Sequence, residues 1–298
     1  MFQYRIHGLN ISSELECPFL GKATGENDVT IRFGEIDSSG VEEQTKKEIY
    51  AIGSDTIYAH FKGISRYLSK GGREIIIEKY PEADDDHVRL FLLGVVLGIT
   101  LHIRGFLPLH ACAIAHEGKA ILFMGESGTG KSTLAEAFRR KGYQLLSDDV
   151  CCTRIGDKSA SMFPSISGIN LSLDTMKFFQ FPESEYMKGL YLKRKYIYLS
   201  EESFCDKEIE LGKAYRIKTH ESKEIIITKL NKFDKAVLLR EQTYRKLAMQ
   251  KLGRVKHHLD QCSRLSSMMD ISVIERPDDI SRLEDVVNAL EQDFLQCK

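Results

Sequence analysis

Apolar positions recur every second residue in the first quarter of the chain and shift to helical spacing further on. Segments 4–11, 29–33, 56–61 and 74–78 read as short strands separated by turns, with the charged run 42–47 as a loop. The longest apolar tract, 90–103, is bracketed by Arg89, His102 and Arg104, and Asp84, Asp85 and Asp86 offer an N-terminal cap. It predicts a buried connecting helix over about 84–105. Segments 111–115 and 120–124 predict paired strands joined by a turn at 116–119, and 145–150 another strand end. An amphipathic helix is expected over 132–141. Leu134, Ala137 and Phe138 share its apolar face, Arg139, Arg140 and Lys141 suit its C-terminus, and Gly142 its cap.

The stretch 150–223 is the least regular, with a short helix at 174–181 and a basic, tyrosine-rich run at 187–196 read mainly as a solvated strand or loop. Lys193 or Arg194 of that run is the candidate for reaching an acidic ligand. Regular structure returns with a strand at 224–227, helices at 233–252 and 255–269, and a strand at 271–274. A final helix over 277–295 turns Val286, Val287, Leu290 and Phe294 inward. No internal repeat is evident.

Composition narrows the function classes without naming a substrate. A chain of 298 residues can bury a substantial core, and a net charge of −1 gives no general nucleic-acid footprint. Seven cysteines without C-x-x-C spacing point to reduced thiols, and residues 1–5 have no signal-peptide profile, so a cytoplasmic protein is expected. The apolar tract falls short of the roughly twenty residues of a membrane span. No membrane partner is expected, and a homo-oligomer is left open.

The chemistry concentrates in one region. Gly125, Glu126, Ser127, Gly128, Thr129, Gly130, Lys131, Ser132 and Thr133 fit G-x-x-x-x-G-K-[ST] between an apolar strand and a helix. Glycines let backbone N–H groups close around phosphate oxygens, and the helix N-terminus adds partial positive charge. Lys131 suits the β- and γ-phosphates of ATP and Ser132 a Mg²⁺ ion. Sixteen residues on, Ser147, Asp148 and Asp149 end an apolar run. If the strand continued, the two carboxylates would point to opposite faces, one to hold Mg²⁺ and one to accept a proton. His110 lies fifteen residues before Gly125. Strand pairing can bring it near the loop.

His110, the strand pair, Gly125 to Thr133 and Ser147-Asp148-Asp149 together resemble the catalytic core of the HPr serine kinase/phosphorylase superfamily over about 107–150. The resemblance implies an α/β, P-loop-containing, HPr kinase/carboxykinase-like catalytic core with a β-rich N-terminal region. On that basis residues 1–83 form the N-terminal region, and 84–298 the catalytic domain including the connecting helix. It also implies ATP- and Mg²⁺-dependent phosphorylation of a serine on a peptide or protein. Asp148 would be the general base, Asp149 and Ser132 the metal-site residues, Lys131 the phosphate ligand, and His110 an assistant near the transferred group. The glycine-rich signature on which phosphorylase activity depends has no match, since Phe163-Pro164-Ser165-Ile166-Ser167-Gly168-Ile169-Asn170-Leu171 stands in its place. The family's further metal-binding glutamate is not assigned, although Glu201 and Glu202 are available. With about a hundred residues before the core, the layout is most similar to kinases that modify lasso-peptide precursors on a C-terminal serine. An HPr-type kinase, a small-molecule kinase and an ATP-dependent switch or assembly module are the alternatives.

Overall fold

A computed structural model describes residues 1–37, 47–182, 187–191, 194–198 and 201–296. The chain forms two compact units, one of Met1–Pro108 with Thr243–Asp260 and one of Leu109–Gln242 with Gln261–Lys298.

In the first unit, β1 (Phe2–Ile6), β2 (Leu9–Ser13), β3 (Gly21–Lys22), β4 (Val29–Phe33), β5 (Lys47–Ile52), β6 (Thr56–Phe61), β7 (Ser65–Lys70) and β8 (Glu74–Lys79) build one sheet. Its order is β3-β1-β2-β4-β8-β7-β6-β5. The β2–β4 and β4–β8 pairings are parallel. Segment 4–11 is a hairpin rather than one strand, because His7 and Gly8 take φ values of 54° and 74° and Ile6 pairs with Leu9. Two left-handed residues in a two-residue connection make the tight turn that joins twisted strands. Residues 42–46 of the expected loop lie outside the described residues, and Lys47 already belongs to β5.

The segment expected to connect the two regions packs with the first unit. It is helical as Asp85–Leu90, a π-helical turn Phe91–Val96, and Leu97–Ile103. Asp84 caps it, its Oδ1 accepting from His87 N at 2.8 Å. Tyr67 Oη donates to Val88 O at 2.8 Å, and Ser69 Oγ and Thr100 Oγ1 are 2.9 Å apart. Gly98 matters here because a Cβ would lie 2.7 Å from the Tyr244 ring. These contacts explain why the helix and residues 243–260 group with the sheet and not with the region beyond residue 108. By length and composition Asp85–Ile103 could cross a membrane, but 67% of its most apolar window is buried inside the protein.

The second unit contains β9 (Leu107–His116), β10 (Lys119–Met124), β11 (Gln144–Ser147), β12 (Val150–Ile155), β13 (Ala160–Phe163), β14 (Gly168–Ser172), β15 (Met187–Tyr191), β16 (Arg194–Tyr198), β17 (Ile209–His220), β18 (Ile226–Lys229) and β19 (Asp270–Pro277). The main sheet runs β10-β9-β12-β13-β17-β19-β18, with β11 beside β9. Because β10 also pairs in parallel with β17, strands β10, β9, β12, β13 and β17 close into a ring. β14, β16 and β15 form a separate small sheet. The side chains of 187–198 lie outside the described residues, so the ligand role considered for Lys193 or Arg194 falls there too.

Helices Lys131–Arg140 and Leu283–Leu295 cover the core of this unit. Leu134 and Phe138 of the first and Val286, Val287, Leu290 and Phe294 of the second are buried, as their spacing predicts. Phe138 stacks on Phe123 of β10 with ring centroids 5.4 Å apart, which fixes the helix against the strand feeding the glycine loop. Glu136 is fully buried in that helix, and Arg139 and Arg140 hold its carboxylate at 2.7 and 2.8 Å. The single helix expected over 233–252 is two, Lys232–Glu241 and Lys246–Lys251. Arg245 interrupts it with φ 51°, and the break leaves Gln242 free to serve the site below. The whole is a mixed α/β chain, rich in sheet, with a β-rich N-terminal region.

Candidate active site

One cavity of about 670 Å³ collects most of the sequence-predicted residues. Its lining includes His110, Ser127, Gly128, Gly130, Lys131, Ser132, Thr133, Asp148 and Asp149. Gly125, Glu126 and Thr129 belong to the same loop but do not line the cavity. They shape it instead: Lys131 Nζ donates to Gly125 O at 2.8 Å and Glu126 O at 3.0 Å, and Arg276 Nη2 donates to Thr129 O at 2.8 Å.

The loop geometry depends on glycine at two points. Gly125 has φ 148°, and a Cβ there would meet Ile217 O at 2.9 Å and Thr129 Oγ1 at 2.8 Å. Gly130 has φ 92°, and a Cβ would meet Arg276 Nη2 at 2.7 Å. The helix starting at Lys131 then directs its N-terminus and its partial positive charge at the cavity.

The adjacent carboxylates have different neighbours. Strand β11 ends at Ser147 and β12 starts at Val150, so the strand does not run through the pair. Asp149 sits in the left-handed region at φ 73°, and this backbone turn, not strand alternation, separates the two side chains. Asp148 Oδ1 accepts from Ser132 Oγ at 2.8 Å and from Cys112 Sγ at 2.6 Å, while its Oδ2 accepts from Asn170 N at 2.8 Å. Asp149 Oδ1 lies 3.1 Å from His110 Nδ1, with the two side chains 45% and 31% exposed. The sequence expectation placed Ser132 with Asp149. In the structure Ser132 is joined to Asp148, and Asp149 to His110.

Burial raises the Asp148 carboxyl from its ordinary value. The Asp149 charge adds to this, and hydrogen bonds from Cys112, Asn170 and Ser132 oppose it. Burial, reinforced by Asp148, pushes the Cys112 thiol well up, so it stays a protonated donor to the carboxylate. A carboxyl whose folded pKa lies above its unfolded value binds more protons in the native state. Its contribution therefore declines as pH rises from about 3.9, the unfolded value, through the raised folded one. Asp148→Asn should flatten the dependence of the ligand-free thermal midpoint on pH across that window, because it removes the titrating group. Scanning calorimetry between pH 4 and 8 checks this, and an unchanged pH dependence for the variant would contradict it.

Sequence reading missed four residues of this region. Cys112 follows His110 on β9, with its side chain against Asp148 and Ser132. Asn170 lies on β14 and Arg276 near the end of β19, and both line the cavity. Arg276 is 8% exposed and donates to the Thr129 and Pro277 carbonyls. Gln242 accepts from Gly125 N through Oε1 at 3.1 Å and from His110 N through its carbonyl at 2.7 Å. It thus ties the loop entrance to the histidine strand. Arg276 and Gln242 stand at a strand end and a helix end, and Cys112 and Asn170 inside strands, so no shared sequence signal marks them. Glu202 does not line the cavity, and the Glu201 side chain lies outside the described residues.

No protein-family model and no curated protein matches the chain. Among solved structures it is similar to the Hpr(Ser) kinase/phosphatase from Coxiella burnetii. The identity is 13%, the match covers 64% of this chain and 92% of that one, and the TM-score is 0.36. A likeness that remote speaks to neither activity nor substrate.

Proposed function

We propose that this protein is an ATP- and Mg²⁺-dependent phosphotransferase acting on a serine hydroxyl of a peptide or protein. The observation that carries the reading is the Ser132–Asp148 hydrogen bond at 2.8 Å beside a glycine-shaped loop, in the same cavity as the His110–Asp149 pair. The donor set fits the groups: a hydroxyl and a carboxylate are hard oxygen ligands for Mg²⁺, and loop amides, Lys131 and the helix N-terminus suit phosphates. Bound Mg²⁺ would supply charge neutralisation on the transferred phosphoryl group.

The chain's own residues do the rest. Lys131, now bonded to loop carbonyls, provides an ammonium that phosphate oxygens can recruit. Ser132 and Asp148 would hold the cation. His110 Nε2 receives the proton of the acceptor hydroxyl, while the Asp149 carboxylate beside Nδ1 fixes the ring and stabilises the imidazolium. Asp148 is the less suitable acceptor because its two oxygens are occupied by three donors. The finer substrate, the C-terminal serine of a lasso-peptide precursor, and the absence of phosphorylase activity rest on the sequence resemblance and its departures.

Lys131→Ala should weaken ATP binding and transfer while the fold survives, because its ammonium binds carbonyls at the cavity and carries no core packing of its own. Isothermal titration with circular dichroism tests both parts, and unchanged ATP affinity would remove Lys131 from this role. Incubating phosphoserine product with Mg²⁺ and inorganic phosphate should give no rapid pyrophosphate formation, and rapid formation would contradict a kinase-only enzyme.

A further inference from the structure

Asn170 occupies the middle of β14, where its backbone and side chain have different tasks. Its N–H donates to Asp148 Oδ2 at 2.8 Å, which pins the residue beside the carboxylate. The residue lines the cavity. Its Oδ1 is shut off from bulk solvent and accepts no hydrogen bond from the described residues. A buried amide oxygen without a donor is costly, and native structures retain such groups where a ligand or ion completes them.

The neighbouring groups define the missing partner. Asp148 bridges Ser132 through Oδ1 and Asn170 N through Oδ2, so the start of a helix, the end of β11 and the middle of β14 meet around one carboxylate. Lys131 Nζ donates to the Gly125 and Glu126 carbonyls, and Asp148 accepts from Ser132, Cys112 and Asn170 among the described residues. The amide oxygen of the residue whose N–H meets this carboxylate, the carboxylate itself and the Ser132 hydroxyl are an acceptor set suited to a hard divalent cation.

We propose that Asn170 Oδ1 is a third protein ligand of the divalent cation, alongside Ser132 and Asp148. This deepens the phosphotransferase reading and rests on it. Such a set carries a single negative charge. Mg²⁺ and Mn²⁺ keep several waters and bind weakly to so few protein charges unless substrate phosphates join them. The cation therefore enters with the nucleotide: affinity in the absence of nucleotide is low, and phosphate oxygens complete the coordination. With an amide in place of a second carboxylate, the site trades cation affinity for dependence on nucleotide.

Mn²⁺ binding, followed by the loss of its free-ion paramagnetic resonance signal, separates ligation from packing. The full chain is titrated with Mn²⁺, with and without ADP, as wild type, Asn170→Asp, Asn170→Ser and Asn170→Leu. ADP affinity in EDTA and circular dichroism are measured on each. Asn170→Leu should weaken Mn²⁺ binding in the presence of ADP by at least about tenfold. Asn170→Asp should tighten it and make binding detectable without ADP, a gain that a packing role would not produce. Metal-free ADP affinity should change little in either variant. Wild-type Mn²⁺ affinity in Asn170→Asp together with Asn170→Leu, or with Asn170→Ser if the leucine variant does not fold, overturns the ligand assignment and leaves the kinase reading standing. Failure of the wild type to take up Mn²⁺ with ADP overturns both.

Discussion

Asp149→Asn is expected to slow phosphoryl transfer by about 10²- to 10⁴-fold, the usual scale of general acid–base catalysis, with little change in binding of the Mg²⁺–nucleotide. The substitution keeps side-chain size, and asparagine tolerates the left-handed backbone that Asp149 adopts at φ 73°. What it removes is the charge 3.1 Å from His110 Nδ1. Asp148→Asn should act in the opposite sense. It removes the charge and turns one of the two accepting oxygens into an NH₂ donor, so the Mg²⁺ dependence shifts upward and excess Mg²⁺ recovers part of the rate. Sequence resemblance assigns these two roles the other way round. Single-turnover transfer over a Mg²⁺ titration decides between the assignments. A wild-type rate for Asp149→Asn, or its full rescue by Mg²⁺, would return the proton-accepting role to Asp148.

Gly125→Ala should be the most damaging single change in the loop. An added Cβ meets the Ile217 carbonyl at 2.9 Å, and a backbone atom on β17 cannot step aside as a flexible side chain can. Left-handed strain of about 1–2 kcal/mol and overpacking of about 1–3 kcal/mol act together. The thermal midpoint should fall by roughly 4–20 °C for a unit of this size, and nucleotide binding should be lost with the loop. Gly128→Ala is the control: its φ is 93°, but nothing lies within 4 Å of the added methyl. It carries strain alone, and its midpoint should fall by less than half as much. Differential scanning calorimetry of both variants tests this, and equal losses would mean that backbone strain, not the close approach at Ile217, sets the loop.

The legible parts of the chain were those where local pattern and tertiary packing agree. Helix Lys131–Arg140, the β9–β10 hairpin and the Val286–Phe294 stripe follow directly from spacing and caps. The glycine loop was legible because its residue types are dictated by backbone angles. Two kinds of information were not. One is backbone reversal inside an apolar run: His7-Gly8 and Arg245 turn the chain where periodicity runs straight through, and Asp149 does the same between β11 and β12. The other is contact across long sequence separations. Asn170 reaches Asp148, Arg276 reaches Thr129, and Gln242 reaches both Gly125 and the His110 backbone. No local spacing encodes these pairs, since each joins elements far apart in sequence. The two carboxylates combine both problems, because their division depends on a single left-handed residue and on partners 16 and 39 positions away.

Transfer of the labelled γ-phosphate tests the central claim most directly. The full chain is mixed with Mg²⁺ and γ-labelled ATP, with enzyme in excess over nucleotide, together with peptides ending in serine and the same peptides ending in alanine. Label should appear on the serine peptides as alkali-labile phosphoserine and not on the alanine controls, and Asp149→Asn should abolish the fast phase. Release of the label solely as free phosphate, at the same rate with and without peptide, would contradict the claim and leave the cavity as the ATP-driven switch of an assembly module.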